Sequence, residues 1–258
     1  DHWVTRMGKW FPGERTVFRG RDLHRDLGGL DSMALHVFAV SGRCLSEAEL
    51  ALLNAIWVNT NYPDPRLWNN RAVAHAGAAR STGSLALSAG LAVSEATIYG
   101  RRPDIRAIDF LRRTRTAIEE GTLLSEVVDR ELKHYRALPG FGRPVVRADE
   151  RIPHLIRRAR DLGLADGPHV GVAYKVEAHL RSTRQRLSMN YAAITAALCA
   201  DLGFTSREYY LLAFPVFLSG MIPCWIETQE HSEGAFLPLS CGRIRYAGPA
   251  RRSWCDAP

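Results

Sequence analysis

The chain has 258 residues, of which 46% are hydrophobic and 24% charged, the balance of an ordinary globular protein. No uninterrupted apolar run approaches about 18 residues, so no membrane-spanning helix is predicted. The net charge is +7, but the positive residues are dispersed and only three of them are lysines. Nucleic-acid binding uses a compact basic patch beside exposed aromatic side chains, so the dispersed arginines favour a small anionic ligand instead.

The five cysteines are odd in number, far apart and without C-x-x-C spacing. This pattern argues against a disulfide framework or a zinc site and is typical of a reducing compartment. The histidines also lack metal-ligand spacing, so no metal is expected. The chain opens with Asp1-His2-Trp3 rather than a basic and then apolar leader, and a cytoplasmic location is therefore expected.

The first predicted elements lie at the N-terminus. Residues 16–18 are suited to a strand and Gly20 to a turn, which predicts a short strand pair. Ser46, followed three residues later by Glu49, forms a capping box that opens a helix over 46–57.

Helical patterns dominate from there onwards. Residues 84–100 are rich in Ala, Gly and Ser, which predicts a buried helix that lets neighbouring backbones approach closely. Asp104 is a candidate N-cap for a helix over 105–120. Thr205 and Glu208 form a second capping box before an apolar segment with prolines at its predicted kinks, Pro215 and Pro223. Further helices are predicted at 122–137, 153–163, about 170–186 and about 189–202, so the sequence predicts an all-α domain.

Common catalytic and nucleotide-binding motifs are absent from the sequence. There is no G-x-G-x-x-G after a strand, no P-loop, no H-E-x-x-H and no G-x-S-x-G. The most constrained segment is the loop at 138–155, which combines prolines, glycines and arginines between two predicted helices. Such a loop is typical of a tight turn or of a ligand site.

A series of short motifs occurs in a definite order along the chain. The loop leads into an acidic-arginine turn, a polar start to an apolar helix, a buried helix that ends in Trp and Glu, and an arginine-rich tail. This order resembles the second half of the citrate synthase superfamily. Similar stretches at 17–27 and 79–96 extend the resemblance over nearly the whole chain, and the length is nearer the short citryl-CoA-lyase-like branch. The matching segments are Gly140-Phe141-Gly142-Arg143-Pro144, Asp149-Glu150-Arg151, Ser188-Met189-Asn190, Trp225-Ile226-Glu227 and Arg243-Ile244-Arg245-Tyr246.

The resemblance implies a single citrate synthase-like domain over 1–258, with a small helical subdomain at about 105–205 and a large one in the remainder. It implies chemistry between an acyl-coenzyme A thioester and a keto acid or polycarboxylate. It also implies a homodimer whose tail arginines reach across to the partner. The nearly charge-free segments 84–100 and 208–226 favour the dimer independently, because one small domain covers two apolar helices with difficulty.

The chain departs from the family at the catalytic positions. The family uses an Asp as the base, and Asn190 stands in its place, although an amide accepts no proton at neutral pH. Arg143 replaces the loop histidine, and its guanidinium is too weak an acid to transfer protons but can hold an anion. The second histidine aligns with Arg101, Arg102 or Pro103, depending on a one-residue gap. A substrate-binding arginine of the family aligns with Phe217.

These comparisons assign predicted roles to individual residues. We predict a catalytic site with a substituted set of side chains, in which His231 is one candidate acid or base and an exposed loop histidine is its plain alternative. Other candidates for this role are Asp64, His75, Glu227 and Glu230. The predicted catalytic residues are Arg143, Asn190 and His231, the substrate-binding residues are Arg102, Arg151, Arg243 and Arg245, and the coenzyme A-binding residues are Pro139, Gly140, Phe141 and Gly142.

Three hypotheses about function follow from these residues. In the first, the protein is an enzyme that makes or cleaves a C–C bond with the substituted catalytic set. In the second, it is a catalytically inactive homologue that binds coenzyme A or a polycarboxylate as a regulatory or partner subunit. In the third, the resemblance is architectural only and the protein is a helical interaction module.

Overall fold

The computed structural model describes residues 2–97, 100–135, 137–143, 148–183, 187–235 and 247. Within these ranges three short strands are followed by a series of α-helices, which confirms the predicted all-α fold. The predicted strand pair is present and is extended by a third, two-residue strand. The antiparallel strands are β1 (Gly8–Phe11), β2 (Arg15–Phe18) and β3 (Arg21–Asp22), with Lys9 opposite Val17 and Val17 opposite Asp22.

Helix starts are set largely by side-chain caps. The two predicted capping boxes are both present: Ser46 accepts from the Glu49 amide, and Thr205 accepts from the Glu208 amide. The helices are α1 (Ser32–Ser41), α2 (Glu47–Thr60), α3 (Trp68–Ala78), α4 (Gly83–Val93), α5 (Arg101–Glu119), α6 (Leu124–His134), α7 (Arg151–Asp161), α8 (Pro168–Ser182), α9 (Tyr191–Asp201), α10 (Ser206–Ala213) and α11 (Leu218–Glu230), with a 3₁₀ turn at Phe214–Phe217.

The junction between α4 and α5 differs from the prediction. The helix predicted to reach residue 100 ends at Val93, and Asp104 is not an N-cap but lies in the first turn of α5. The physical reason is Gly100, whose φ of 79° reverses the chain so that Arg101 donates from its amide to the Ser94 carbonyl at 2.9 Å. A Cβ at residue 100 would lie 2.1 Å from that carbonyl oxygen, so only glycine permits the turn.

The buried hydrophobic residues form two clusters. The larger one includes eight residues of α9, a helix that is buried on nearly every face, together with buried positions of α2, α5, α8 and α10. The smaller cluster joins α3, α4 and α11 through Val73, Ala86 and Met221. The larger cluster contains residues on both sides of the boundaries at about 105 and 205, so the division into two subdomains stays a prediction.

The segment from α10 through α11 is more apolar than the sequence analysis supposed. Ser206–Glu230 spans 25 residues and is long and apolar enough to cross a membrane by length and composition. The core helix of a soluble protein meets the same criterion, and a single stretch is weak evidence for a span. In the structure the segment is interrupted by the 3₁₀ turn, and α11 packs against α3 and α4.

Candidate functional site

The glycine-rich loop and the start of α9 pair with each other although about 48 residues separate them. Phe141 and Met189 form an antiparallel bridge. The Gly142 amide donates to the Ser188 carbonyl at 2.7 Å, and the Asn190 amide donates to the Gly140 carbonyl at 2.9 Å. The structure therefore joins two of the motifs on which the predicted site rests.

Close packing on α9 explains the first glycine of this loop. Gly140 has a φ of 85°, and a Cβ at this position would lie 2.6 Å from the Ala193 Cβ. Because the same Cβ would lie 2.9 Å from the Ala193 Cα and amide nitrogen, the conflict is with backbone as well as with a side chain. Glycine is therefore required here by both conformation and space.

Both ends of the Asn190 side chain are engaged. Its Oδ1 accepts from the Ala192 amide at 3.0 Å, which makes Asn190 the N-cap of α9. Its Nδ2 donates to the Gly142 carbonyl at 2.9 Å. Asn190 thus fixes the loop to the helix terminus.

A fully buried carboxylate lies at the centre of the site. The two oxygens of Asp149 accept from Arg151 Nε and Nη2, each at 2.8 Å, in a bidentate pair. One of them also accepts from the Tyr191 amide at 2.9 Å. Burial opposes ionisation of Asp149, but the hydrogen bonds and charge of Arg151, the Tyr191 amide and the charge of Arg143 hold its pKa below the usual value.

Arg151 is held between aromatic rings. Its Cζ lies 4.3 Å from the ring centroid of Tyr191 and 5.3 Å from that of Tyr62. Burial lowers the pKa of this guanidinium, but its hydrogen bond with Asp149 raises it more, so Arg151 carries a permanent charge. Nε and Nη2 are used by Asp149, which leaves Nη1 without a hydrogen-bond partner among the described residues.

The second arginine of the site is paired with a more exposed carboxylate. Arg143 Nη1 donates to Glu150 Oε2 at 2.6 Å, and Arg143 Nε lies 3.7 Å from the buried carboxylate of Asp149. The Tyr62 hydroxyl donates to Glu150 Oε1 at 2.9 Å. The hydrogen bond from Arg143 lowers the pKa of Glu150, while burial and Glu150 raise the pKa of Tyr62.

We call the set Arg143, Asp149, Glu150, Arg151 and Asn190 the arginine cluster. Its two guanidinium groups face two carboxylates, so the cluster is electrically balanced in this state. The Glu150 side chain is 58% exposed, whereas that of Asp149 is 0% exposed. Asn190, although distant in sequence from Arg143 and Arg151, therefore lies beside them, and the functional roles of all three stay predictions.

An additional buried arginine lies within electrostatic reach of the cluster. Arg101 is 2% exposed, and its Nη1 contacts Asp104 Oδ2 at 3.0 Å, while its Nε and Nη2 are buried without a hydrogen-bond partner in the described structure. Its Cζ lies 4.1 Å from the Phe217 ring centroid. Burial raises the pKa of Asp104, and the charges of Arg101 and Arg151 partly oppose that shift.

Sequence analysis selected Arg102 rather than Arg101 as the site residue. Arg102 is exposed, whereas the Arg101 side chain points into the interior. The rotation of α5 about its axis decides which of the two arginines faces the interior. The turn at Gly100 sets that rotation, and a periodic sequence pattern alone does not reveal it. The sequence signal that was missed is the glycine directly before the arginine pair, because glycine adopts the positive φ of such a turn without strain.

Several predicted site residues lie elsewhere or outside the described residues. His231 follows the last turn of α11, and its carbonyl accepts from Arg80 Nη2 at 2.5 Å, so it lies at the α3–α11 end of the fold. Of the predicted coenzyme A-binding residues, Pro139, Gly140 and Phe141 are buried and Gly142 is partly exposed. Arg243 and Arg245 lie outside the described residues.

The other acid–base candidates also lie outside the arginine cluster. Asp64 is paired with Arg66, whose hydrogen bond lowers the pKa of Asp64 to about 2, so it is a weak base. Burial and the charge of Arg71 lower the pKa of His75 on α3. Glu227 and Glu230 are exposed on α11. Among the residues the structure describes, no group of three or more His, Cys, Asp or Glu side chains converges in a way that could hold a metal ion.

Comparison with known proteins gives matches in structure but not in sequence. No protein-family model and no curated protein matches the chain. The structure superposes on citryl-CoA lyase from Hydrogenobacter thermophilus with a TM-score of 0.83 and 19% identity, covering 97% of this chain and 96% of that one.

Two longer enzymes share the same fold. ATP citrate lyase from Methanothrix soehngenii, in complex with citrate and coenzyme A, matches with a TM-score of 0.78 and 18% identity, over 97% of this chain and 42% of that chain. Citrate synthase from Thermoplasma acidophilum, in ternary complex with carboxymethyl coenzyme A and oxaloacetate, matches with a TM-score of 0.66 and 16% identity, over 87% of this chain and 58% of that one. Over nearly its whole length, the chain therefore has the citrate synthase-like fold, in the short form represented by citryl-CoA lyase.

Proposed function

We propose that this protein makes or cleaves a C–C bond between an acyl-coenzyme A thioester and a keto acid or polycarboxylate. The observation that carries the proposal is the arginine cluster, which gathers two fixed cations at the loop and helix start of a citrate synthase-like fold. Structures with this fold contain coenzyme A, a coenzyme A analogue, citrate or oxaloacetate. Arginine binds carboxylates in a bidentate geometry, which suits an acid with several carboxylates.

Substrate binding would begin with the exchange of one carboxylate for another. Glu150 is the exposed member of the cluster, so a substrate carboxylate displaces it from Arg143 at the lowest desolvation cost. Asp149 stays in place, because it is buried and also binds the Tyr191 amide. The free Nη1 of Arg151 offers a second point of contact for the same acid.

In the reaction, Arg143 supplies charge and position rather than a proton. A fixed guanidinium close to the reacting carbonyl stabilises the negative charge that develops on oxygen in the transition state. Asn190 holds the loop that carries Arg143 and contributes an amide donor at the start of α9. The acid–base role we assign to His231 requires its turn to move or to meet the site of a partner subunit, since in this chain it lies beside Arg80.

The alternative function is binding of the same ligands without turnover. It is favoured by one observation: both polar ends of Asn190, at the position of the family's base, are used in holding α9 and the loop. A protein of this kind would serve as a regulatory or partner subunit.

The test is conversion of one coenzyme A species into another, followed by mass spectrometry, when the protein meets acyl-coenzyme A esters with keto acids, or coenzyme A thioesters of polycarboxylates. Free thiol alone is not a sufficient readout, because a C–C bond made or cleaved next to an intact thioester releases none. We expect turnover with at least one pair, and Arg143→Gln is expected to lower kcat/KM by about 10²–10³, the loss typical of one transition-state donor. Arg157→Gln, on the exposed face of α7, is the matched control and should leave kcat/KM unchanged.

Calorimetry with coenzyme A and citrate separates the two functions. Binding of either ligand without turnover would favour the inactive homologue. The absence of both binding and turnover would contradict both functions. That last outcome would favour the third hypothesis, in which the protein is a helical interaction module.

We also propose that two copies associate through α3, α4 and α11. These helices share a small buried core and expose Leu85 at 64%, Ile222 at 43% and Ile226 at 46%. Exposed apolar side chains grouped on neighbouring helices are typical of a protein interface. In such a dimer the tail arginines Arg243 and Arg245 would reach the site of the partner.

Sedimentation velocity at micromolar concentration tests the dimer. The wild-type protein should sediment as a dimer, and Leu85→Glu together with Ile226→Glu should shift it towards the monomer. Val58→Glu, which changes a residue 68% exposed on α2, is the control and should stay dimeric. A wild-type monomer under these conditions would contradict the proposal.

We place this activity in the cytoplasm. Cys199 is a buried free thiol whose pKa is raised to about 12 by burial and by the charge of Asp104, so it stays protonated and unreactive. Free thiols at Cys44 and Cys224 fit the same reducing compartment.

A further inference from the structure

A second concave site lies between α5 and α6, apart from the arginine cluster. Its volume is about 770 Å³, within the usual range of small-molecule sites, about 300–1,000 Å³. The groove is lined by Arg106, Asp109, Arg113, Arg130, Glu131, Lys133, His134 and Tyr135.

The groove carries an excess of positive charge. One of its four fixed cations, Arg113, is paired with Glu131 at 3.3 Å, and the other carboxylate, Asp109, accepts from the Ser206 hydroxyl. The remaining three, Arg106, Arg130 and Lys133, form no ion pair with any residue the structure describes. Cations that face a shared concavity without carboxylate partners attract an anion of two or more charges.

Helix electrostatics account for only part of this charge. Lys133 and His134 lie in the last turn of α6, where a cation stabilises the negative end of the helix dipole. Arg106 lies in the second turn of α5 and Arg113 near its middle, and there the dipole offers them no stabilisation. Arg113 is explained by its ion pair with Glu131, whereas Arg106 has no carboxylate partner among the described residues and needs another explanation.

An aromatic ring borders these cations. Tyr135 is 43% exposed, with the Arg106 Cζ 4.2 Å from its ring centroid and the His134 ring edge-on at 4.4 Å. An exposed aromatic surface next to guanidinium groups is suited to a ligand that joins a flat base to phosphates, since the base stacks and the phosphates pair with arginine.

We propose that this groove binds a nucleotide, with its pyrophosphate on Arg106, Arg130 and Lys133 and its base against Tyr135. A free nucleotide such as ADP and the nucleotide half of a coenzyme A thioester both present this chemistry. The inference does not depend on the reaction proposed above, because it concerns binding at a separate set of side chains.

The test is isothermal titration of the full chain with ADP, pyrophosphate and adenosine. We expect ADP and pyrophosphate to bind and adenosine to bind far more weakly, with affinity falling as ionic strength rises. Arg106→Gln and Arg130→Gln should each raise the Kd for ADP by about tenfold or more, the effect of losing one charge-assisted hydrogen bond. Arg181→Gln, an exposed arginine on α8, should leave the Kd unchanged.

Two further arms make the outcome specific. If coenzyme A displaces ADP and its affinity falls in the same variants, the nucleotide that the groove binds is that of a coenzyme A thioester. If the binding of coenzyme A is unchanged in these variants, the groove binds a separate nucleotide effector. Arg143→Gln should lower turnover and leave ADP binding intact, which separates this site from the arginine cluster. No saturable ADP binding at millimolar concentration, or an unchanged Kd in the Arg106→Gln/Arg130→Gln double variant with a native circular dichroism spectrum, would overturn the proposal.

Discussion

Replacing Asp149 by alanine is expected to destabilise the fold by about 3–5 kcal/mol, the usual loss when one partner of a buried ion pair is removed. The substitution leaves the Arg151 guanidinium without its bidentate partner and the Tyr191 amide without its acceptor. The Tyr191 amide is then buried without a partner, and the half-buried guanidinium loses its bidentate partner at the N-terminus of the central helix. Chemical denaturation, followed by far-UV circular dichroism, measures the change in the free energy of unfolding.

Glu150→Ala is the matched control for this prediction. Glu150 is the neighbouring carboxylate and also pairs with an arginine, but its side chain is 58% exposed. An exposed pair contributes about 0–1 kcal/mol, so this variant should unfold close to the wild type. Equal destabilisation by the two substitutions would show that Asp149 does not organise the site.

The pH dependence of the same experiment follows from the lowered pKa of Asp149. A carboxylate with a lower pKa in the folded state stabilises the fold above its unfolded pKa of about 3.9 and loses that contribution as the pH falls through the folded pKa. The difference in stability between wild type and Asp149→Ala should therefore be largest near neutral pH and shrink in acid. A difference that grows on acidification would contradict this sign.

Gly140→Ala is expected to cost more than an ordinary glycine substitution at positive φ. The left-handed conformation costs an alanine about 1–2 kcal/mol, and overlap with Ala193 adds about 1–3 kcal/mol of overpacking. Gly13→Ala separates the two contributions, because Gly13 has a φ of 77° and open space around its Cβ position. Denaturation midpoints of the two variants give the difference directly.

A second substitution tests whether the conflict lies with backbone or side chain. Ala193→Gly removes the Cβ that would stand 2.6 Å away, but the Ala193 Cα and amide nitrogen, each 2.9 Å away, remain. The double variant Gly140→Ala/Ala193→Gly should therefore recover only part of the lost stability, after subtraction of the effect of Ala193→Gly alone. Full recovery would show that the backbone of α9 moves freely away from the loop.

Local sequence signals predicted much of the fold. The capping boxes at Ser46 and Thr205 placed two helix starts correctly, because a side chain three residues from the cap reports directly on backbone geometry. The predicted start of α5 was wrong. Asp104 is a residue type that often caps helices, but the helix start is decided by the close approach of Gly100 to the Ser94 carbonyl. Such an approach depends on tertiary structure and leaves little mark on the periodic pattern.

The candidate site was predictable as a set of motifs but not as a set of contacts. Motif order brought Arg143, Arg151 and Asn190 to attention, and the structure places them together. The role of Tyr62, which donates to Glu150 from just beyond α2, was not predicted, because no local pattern connects residues 88 positions apart. Arg101 was one of three alternatives at its position, and the sequence did not select it, because a one-residue change in helix phase exchanges a buried guanidinium for an exposed one.

The pairing of Arg143 with Glu150 has a consequence for ligand selectivity. Glu150 is a tethered competitor, held near Arg143 at a high effective concentration by only seven residues of chain. A free monocarboxylate such as acetate gains little by replacing it, since it offers the same single interaction and loses its own translational freedom. Under the proposed function, an acid with two or more carboxylates would also reach Arg151 and overcome the competitor, so the chain itself would filter abundant small anions from the site.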